Sequence, residues 1–148
     1  MIGSEAGVEA RRGDGLLAAA LIVIGAYQLG LGTLMVFAPD TFFTEIGSFG
    51  VQNDHYIRDT ATYNLAAGAV ALVAVIRRSW RVPVLVFLVI QFALHSVNHL
   101  VDIDEAVPSS VGVFDFVALA VATVLLAVLL ARTRENENVH TGGPGGGR

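Results

Sequence analysis

The chain has 148 residues, 54% of them hydrophobic and only 15% charged, with a net charge of −4 and no cysteine. A water-soluble domain of this length carries about 25% charged residues, so the composition points to a membrane protein, and the acidic balance excludes nucleic acid as a partner. The lack of cysteine excludes disulfides, thiolate nucleophiles and Cys-ligated zinc or iron–sulfur centres.

Residues 1–14 are polar and aperiodic and read as a flexible tail. The first apolar stretch, 16–38, is too long for the apolar region of a signal peptide, and Pro39 follows it where cleavage would fall. It carries Gly25, Gly30 and Gly32, with Ala26 and Gly30 in the small-xxx-small relation that lets helix backbones approach in lipid. After Pro39-Asp40, the residues Phe42, Phe43, Ile46 and Phe49 recur at helical spacing between polar neighbours. This predicts a short interfacial helix between the first two spans. Its aromatic stripe reads as membrane anchoring, with a lid as the alternative.

Asn53 is suited to cap the second span, 57–76, with Asp54 in its first turn, so that His55, Arg58 and Asp59 fall on the helix. The turn Arg77-Arg78-Ser79-Trp80-Arg81 forces the third span, 82–101, to run back antiparallel, with Trp80 at headgroup level. An acidic loop, 102–110, then leads through Pro108-Ser109-Ser110 to the fourth span, 111–131. Each stretch meets the roughly 18–20 apolar residues that a crossing needs. The Gly- and Pro-rich residues 135–148, which include His140, read as a disordered tail. The expected architecture is therefore an all-α, integral-membrane four-helix bundle occupying residues 15–134.

Every basic residue is arginine. Eight of the nine fall in the N-terminal segment, the 77–81 turn and the C-terminal segment, against five carboxylates; the other two loops and their flanks hold Arg58 against eight. Arginine near span ends is retained on the cytoplasmic side, so both termini are expected there.

Gln91, His95, Asn98, His99 and Asp102 fall within an arc of roughly 100° on the third span, and His55, Arg58, Asp59 and Thr62 repeat their offsets on the second. Matched antiparallel, His55 lies level with Asp102, and Arg58 and Asp59 lie level with Asn98 and His99. Asp115 reaches the same depth from the fourth span, with Tyr63, Asn64, Tyr27 and Gln28 below. Charged groups in a span are costly unless they face one another or a wet cavity. The expected ligand-binding set is therefore His55, Arg58, Asp59, Tyr63, His95, Asn98, His99, Asp102 and Asp115, in a pocket open to the non-cytoplasmic face.

His95 and His99, at i and i+4, present two imidazoles on one face as helical metal sites do. With His55, Asp59 and Asp102 they form a candidate set for a divalent ion, zinc or iron. A haem held by His55 and His99 is the lesser alternative. The bland readings are an Arg58 ion pair with Asp59 or Asp115, and hydrogen-bonded core histidines. Three functions stay open: a metal or small polar ligand bound in the pocket, a proton-coupled solute carrier, and a structural accessory subunit. Small-residue faces on the first and fourth spans leave room for a homo-oligomer. Nucleophilic catalysis lacks support, because Ser96 cannot face His95 on a helix.

The first span ending in Phe37-Ala38-Pro39, the Arg58-Asp59 pair opening the second, and the run Leu65-Ala66-Ala67-Gly68 resemble the DoxX-like group of small four-helix bacterial membrane proteins. The resemblance covers most of residues 16–131 and implies an association with membrane redox or quinol-linked systems; the Ala- and Val-rich spans, the all-Arg basic set and the Gly-Pro-Gly tail suggest a high-GC bacterium, and so a bacterial inner membrane. Neither Asn53-Asp54-His55 nor the run from His95 to His99 belongs to that pattern.

Overall fold

A computed structural model describes the backbone of residues 2–141 and the side chains of residues 12–136. It consists of α1 (Ile2–Phe37), α2 (Pro39–Glu45), α3 (Asp54–Ile76), α4 (Arg81–Val101) and α5 (Ser109–Thr141), with one 3₁₀ turn at Arg78–Trp80. No strand occurs among the described residues, only an isolated bridge between Phe49 and Ala106. Four segments are long and apolar enough to cross a membrane: Arg12–Phe37, Asp54–Ile76, Arg78–Val101 and Ser109–Asn136.

Two expectations about the termini change. Residues 2–14 continue α1 rather than forming a loose tail, because Glu, Ala and Arg are good helix formers and acidic residues suit a helix's first turns. Residues 135–141 likewise prolong α5, and the remaining tail, 142–148, lies outside the described residues.

The bundle is built as two pairs. α1 packs chiefly on α3 and α4 on α5, while the contact between α3 and α4 is slight by comparison. Glycine makes the first pairing close. A Cβ at Gly68 would lie 2.8 Å from the Gly25 carbonyl oxygen and 2.9 Å from the Leu29 nitrogen, and one at Gly32 would lie 3.0 Å from the Ala61 carbonyl oxygen. Gly30, expected to share this role with Ala26, faces open space instead. The working pair on α1 is Gly25 and Gly32, seven residues and so about two turns apart on one face. The main apolar core joins both pairs through Leu17, Leu21, Ala71, Ala74, Leu85, Leu88 and Leu126.

Each end of the bundle is tied by its own contacts, and together they fix an up-and-down arrangement. At the arginine end, Asp14 of α1 accepts hydrogen bonds from Arg78 and, at 2.9 Å, from Arg81. At the acidic end, Ser48 Oγ donates to the Val107 carbonyl at 2.7 Å and the Val107 amide donates to the Ser48 carbonyl at 3.1 Å. The α2–α3 connection is thereby joined to the α4–α5 loop.

The Arg81 side chain is only 9% exposed, and its Nε also donates to the Ala74 carbonyl at 3.4 Å. Removing its counter-ion would leave a buried guanidinium short of a partner. Asp14→Ala is therefore expected to destabilise the bundle by about 2 kcal/mol, between the values for exposed and buried pairs because Asp14 itself is partly solvated. Thermal unfolding in detergent followed by circular dichroism measures this; an unchanged midpoint would remove the clamp from the fold's energetics.

Candidate functional site

Between the two pairs lies a cavity of about 870 Å³, with lining contributed by α1, α2, α3, α4 and α5. It runs from Val23 and Ala122 near mid-span to Asn53 and Asp102 at the acidic end. The segment from Phe42 to Val51 covers it: Phe42, Phe43, Ile46, Phe49 and Val51 all line it. The aromatic stripe read as membrane anchoring is thus turned inward. Phe42 and Phe43 pack on Met35, Ile57 and Ala61, which are among the most buried side chains at this end. A ring of this size on amphipathic backbone gains more from a partner helix than from the interface when such a groove is available.

The α4 stripe faces the cavity as its periodicity requires. Gln91, His95, Asn98, His99 and Asp102 all line it, and Asp115 joins them from α5. Tyr27, Gln28 and Asn64 close it from the other pair.

The α3 residues are arranged otherwise. His55, Arg58 and Asp59 do not line the cavity. His55 pairs with Asp59 at 3.4 Å, with side chains 78% and 63% exposed, and Arg58 pairs with Asp54 at 3.5 Å. The residues that α3 and its cap present to the cavity are Asn53, at the cap, and Tyr56, Ile57, Thr60 and Asn64. At 100° per residue this face lies about half a turn from the expected one. The rotation of α3 is set by Ala61, Leu65, Gly68 and Leu72, whose small or close-fitting side chains must meet α1. Near the interface, exposed charge costs little, so nothing draws His55, Arg58 and Asp59 inward. The predicted ion pair of Arg58 with Asp59 or Asp115 is absent for the same reason. Tyr63 lines a separate groove between α3 and α4 with Phe87, Ile90 and Leu94, and Gln91, His95 and Asn98 form a wall shared with the cavity.

The five-residue metal set is consequently not assembled. Among the described residues no three His, Asp or Glu side chains are gathered to hold an ion. His55 and Asp59 are on the far side of α3, and of the set only His95 and His99 touch within the bundle. A haem held by His55 and His99 fails on the same geometry.

The histidines form something else. Their rings stack, centroids 4.7 Å apart and 14° from parallel, with Nε2 of one 2.9 Å from Nε2 of the other. The Gln91 amide nitrogen donates to His95 Nδ1 at 3.3 Å. His95 must then carry its proton on Nε2 and donate it to His99 Nε2, which leaves the His99 proton on Nδ1. Reversing the Gln91 amide reverses every donor in the chain. Phe49 sits edge-on against His99, centroids 4.8 Å apart, and joins the roof to this relay.

Three polar atoms buried in this region have no hydrogen-bond partner among the described residues: Gln28 Nε2, Gln91 Oε1 and His99 Nδ1. All three belong to side chains lining the same cavity. An unpaired buried donor or acceptor costs roughly 1–3 kcal/mol, a cost that a polar group placed in this space would relieve. The carboxylates of Asp102 and Asp115 also make no ion pair or side-chain hydrogen bond among the described residues. Sequence reasoning ranked Gln28 and Gln91 too low because an amide carries no charge to be balanced. It missed Tyr56 and Thr60 because their spacing with Asn53 and Asn64 is polar but not ionisable.

A family model described as a family of unknown function (DUF6790) matches residues 5–138. No curated protein and no solved structure matches the chain.

Proposed function

We propose that the chain, which belongs to the DUF6790 family, is a multi-pass membrane protein that binds an amphipathic small molecule in the cavity between its two helix pairs. The observation that carries this reading is the set of three unpartnered polar atoms, on Gln28, Gln91 and His99, around one space of about 870 Å³. That volume lies in the range of small-molecule sites, which are mostly apolar with a few placed polar groups. A polar headgroup would meet the two amides and His99. The remainder would lie among side chains such as Ile24, Leu31, Phe92 and Leu119. The expected metal reading loses support here, since only two imidazoles are gathered where an ion needs more ligands.

In this reading both termini are cytoplasmic, following the arginines, and the cavity opens toward the other face of a bacterial inner membrane. A proton-coupled carrier is the second reading. What favours it is the contact between His95 and His99, whose Nε2 atoms lie 2.9 Å apart, so that a proton can pass from one imidazole to the other without moving a helix.

The test uses a neutral amphiphilic fluorophore, N-phenylnaphthylamine, with the protein in lipid nanodiscs. Saturable one-to-one binding is expected, and Ala118→Trp, which places an indole inside the cavity, should abolish it. Asp59→Asn, on the outer face of α3, should leave it within twofold. Equal partitioning with and without the protein would overturn the reading.

A further inference from the structure

We infer that the ligand of this cavity is a lipophilic cation, an organic amine, quaternary ammonium or phosphonium with apolar substituents. The inference rests on the ligand-binding reading above and adds a charge to it. Two carboxylates, Asp102 and Asp115, line the cavity, and no arginine or lysine does. Arg58, which the sequence placed in the expected ligand-binding set, is turned outward to Asp54. Among the described residues neither carboxylate finds a cation or a side-chain donor, although both lie within or at the end of segments apolar enough to cross a membrane. Unlike Asp59, which faces outward, these two carboxylates face a mostly apolar cavity, where an unpaired charge favours a positively charged occupant.

The walls supply the rest of what an organic cation needs. Tyr27, Tyr56, Phe49 and Phe114 line the same space, and the faces of aromatic rings attract cations. An independent sign that a ligand belongs here is Gln28, whose side chain is 2% exposed and whose amide nitrogen lacks a partner. An inorganic ion would leave the apolar lining unused, and a neutral amphiphile would leave both carboxylates uncompensated. Asp102 and Asp115 are the only carboxylates among the residues that line the cavity, beside the imidazoles of His95 and His99 and the phenols of Tyr27 and Tyr56.

Two probes of equal size and opposite charge separate charge from bulk: tetraphenylphosphonium and tetraphenylborate, each competed against N-phenylnaphthylamine in nanodiscs. Tetraphenylphosphonium should displace the fluorophore at least tenfold more effectively than the borate. Asp115→Asn should reduce the advantage of the phosphonium over the borate tenfold or more, and Asp102→Asn should act in the same direction. The fluorophore's own binding verifies that each variant folds. If the fluorophore binds and the phosphonium does not displace it, or if Asp115→Asn changes both probes alike, the cationic assignment falls and the cavity reading stands. If the fluorophore itself fails to bind, both fall.

Discussion

A protein carrying valine at Gly68 is expected to lose the pairing of α1 with α3. A Cβ there meets the Gly25 carbonyl oxygen at 2.8 Å, the Leu29 nitrogen at 2.9 Å and the Leu29 Cγ at 2.7 Å. Two of these three atoms are backbone and cannot rotate away, so the helices must separate. Overpacking a well-fitted contact typically costs about 1–3 kcal/mol. Valine here should reach or pass the upper figure, because in lipid the close approach itself holds the helices together. Gly68→Ala should cost less, and Gly30→Val should be close to neutral, because nothing lies within 4 Å of a Cβ at Gly30. Denaturation in mixed micelles would order the three. Equal stabilities for the Gly68 and Gly30 variants would mean that α1 and α3 are not held by this contact.

The same contact explains which parts of the site could be read from sequence. Span positions follow from apolar length, and α4 is legible residue by residue, because its amide and imidazole side chains are all spaced for one face, leaving only the small Ser96 for the α5 side. Gln91, His95, Asn98 and His99 accordingly all reach the cavity. On α3 two patterns compete. The charged set of His55, Arg58 and Asp59 and the neutral set of Asn53, Tyr56, Thr60 and Asn64 both have helical spacing. Charge is the louder signal, but the helix is oriented by Ala61 and Gly68, which are silent in any polarity reading. The small-residue run containing Gly68 is visible in the sequence, but nothing in it says which neighbouring helix it must meet, and that choice sets the rotation of α3. Once α3 is rotated by its packing, the charged set meets water or headgroups and forms the local i, i+4 pairs of His55 with Asp59 and Asp54 with Arg58. Such exposed pairs contribute little to stability.

The cavity itself was less legible than its walls. It exists because α1 and α3 close on each other through glycine, α4 and α5 form a second pair held in part by Ser96 and Thr123, whose hydroxyls lie 3.3 Å apart, and little contact draws α3 to α4. The roof keeps the pairs from closing or splaying by joining Ser48 to Val107. A pattern of single-helix faces does not reveal the space left between two pairs.

Replacement of Gln28 by methionine, similar in length and without a hydrogen-bonding amide, is expected to raise stability and remove binding together. The wild-type side chain is 2% exposed, and its Nε2 has no partner among the described residues. Its burial therefore costs roughly 1–3 kcal/mol, which methionine would return as a higher unfolding midpoint in the absence of ligand. A ligand that uses the amide would lose a buried hydrogen bond, so affinity should fall by about tenfold or more, a loss of at least about 1.4 kcal/mol. The two changes have opposite signs, and that opposition separates the readings. If Gln28 only locked the bundle, Gln28→Met would lower the midpoint, and unbound protein would gain nothing from the exchange. A site kept polar for a ligand gives the reverse, since the amide then opposes folding until the ligand arrives to satisfy it. Paired measurements of the unfolding midpoint and of fluorophore affinity on the same preparation therefore decide whether the polar wall serves the fold or the ligand.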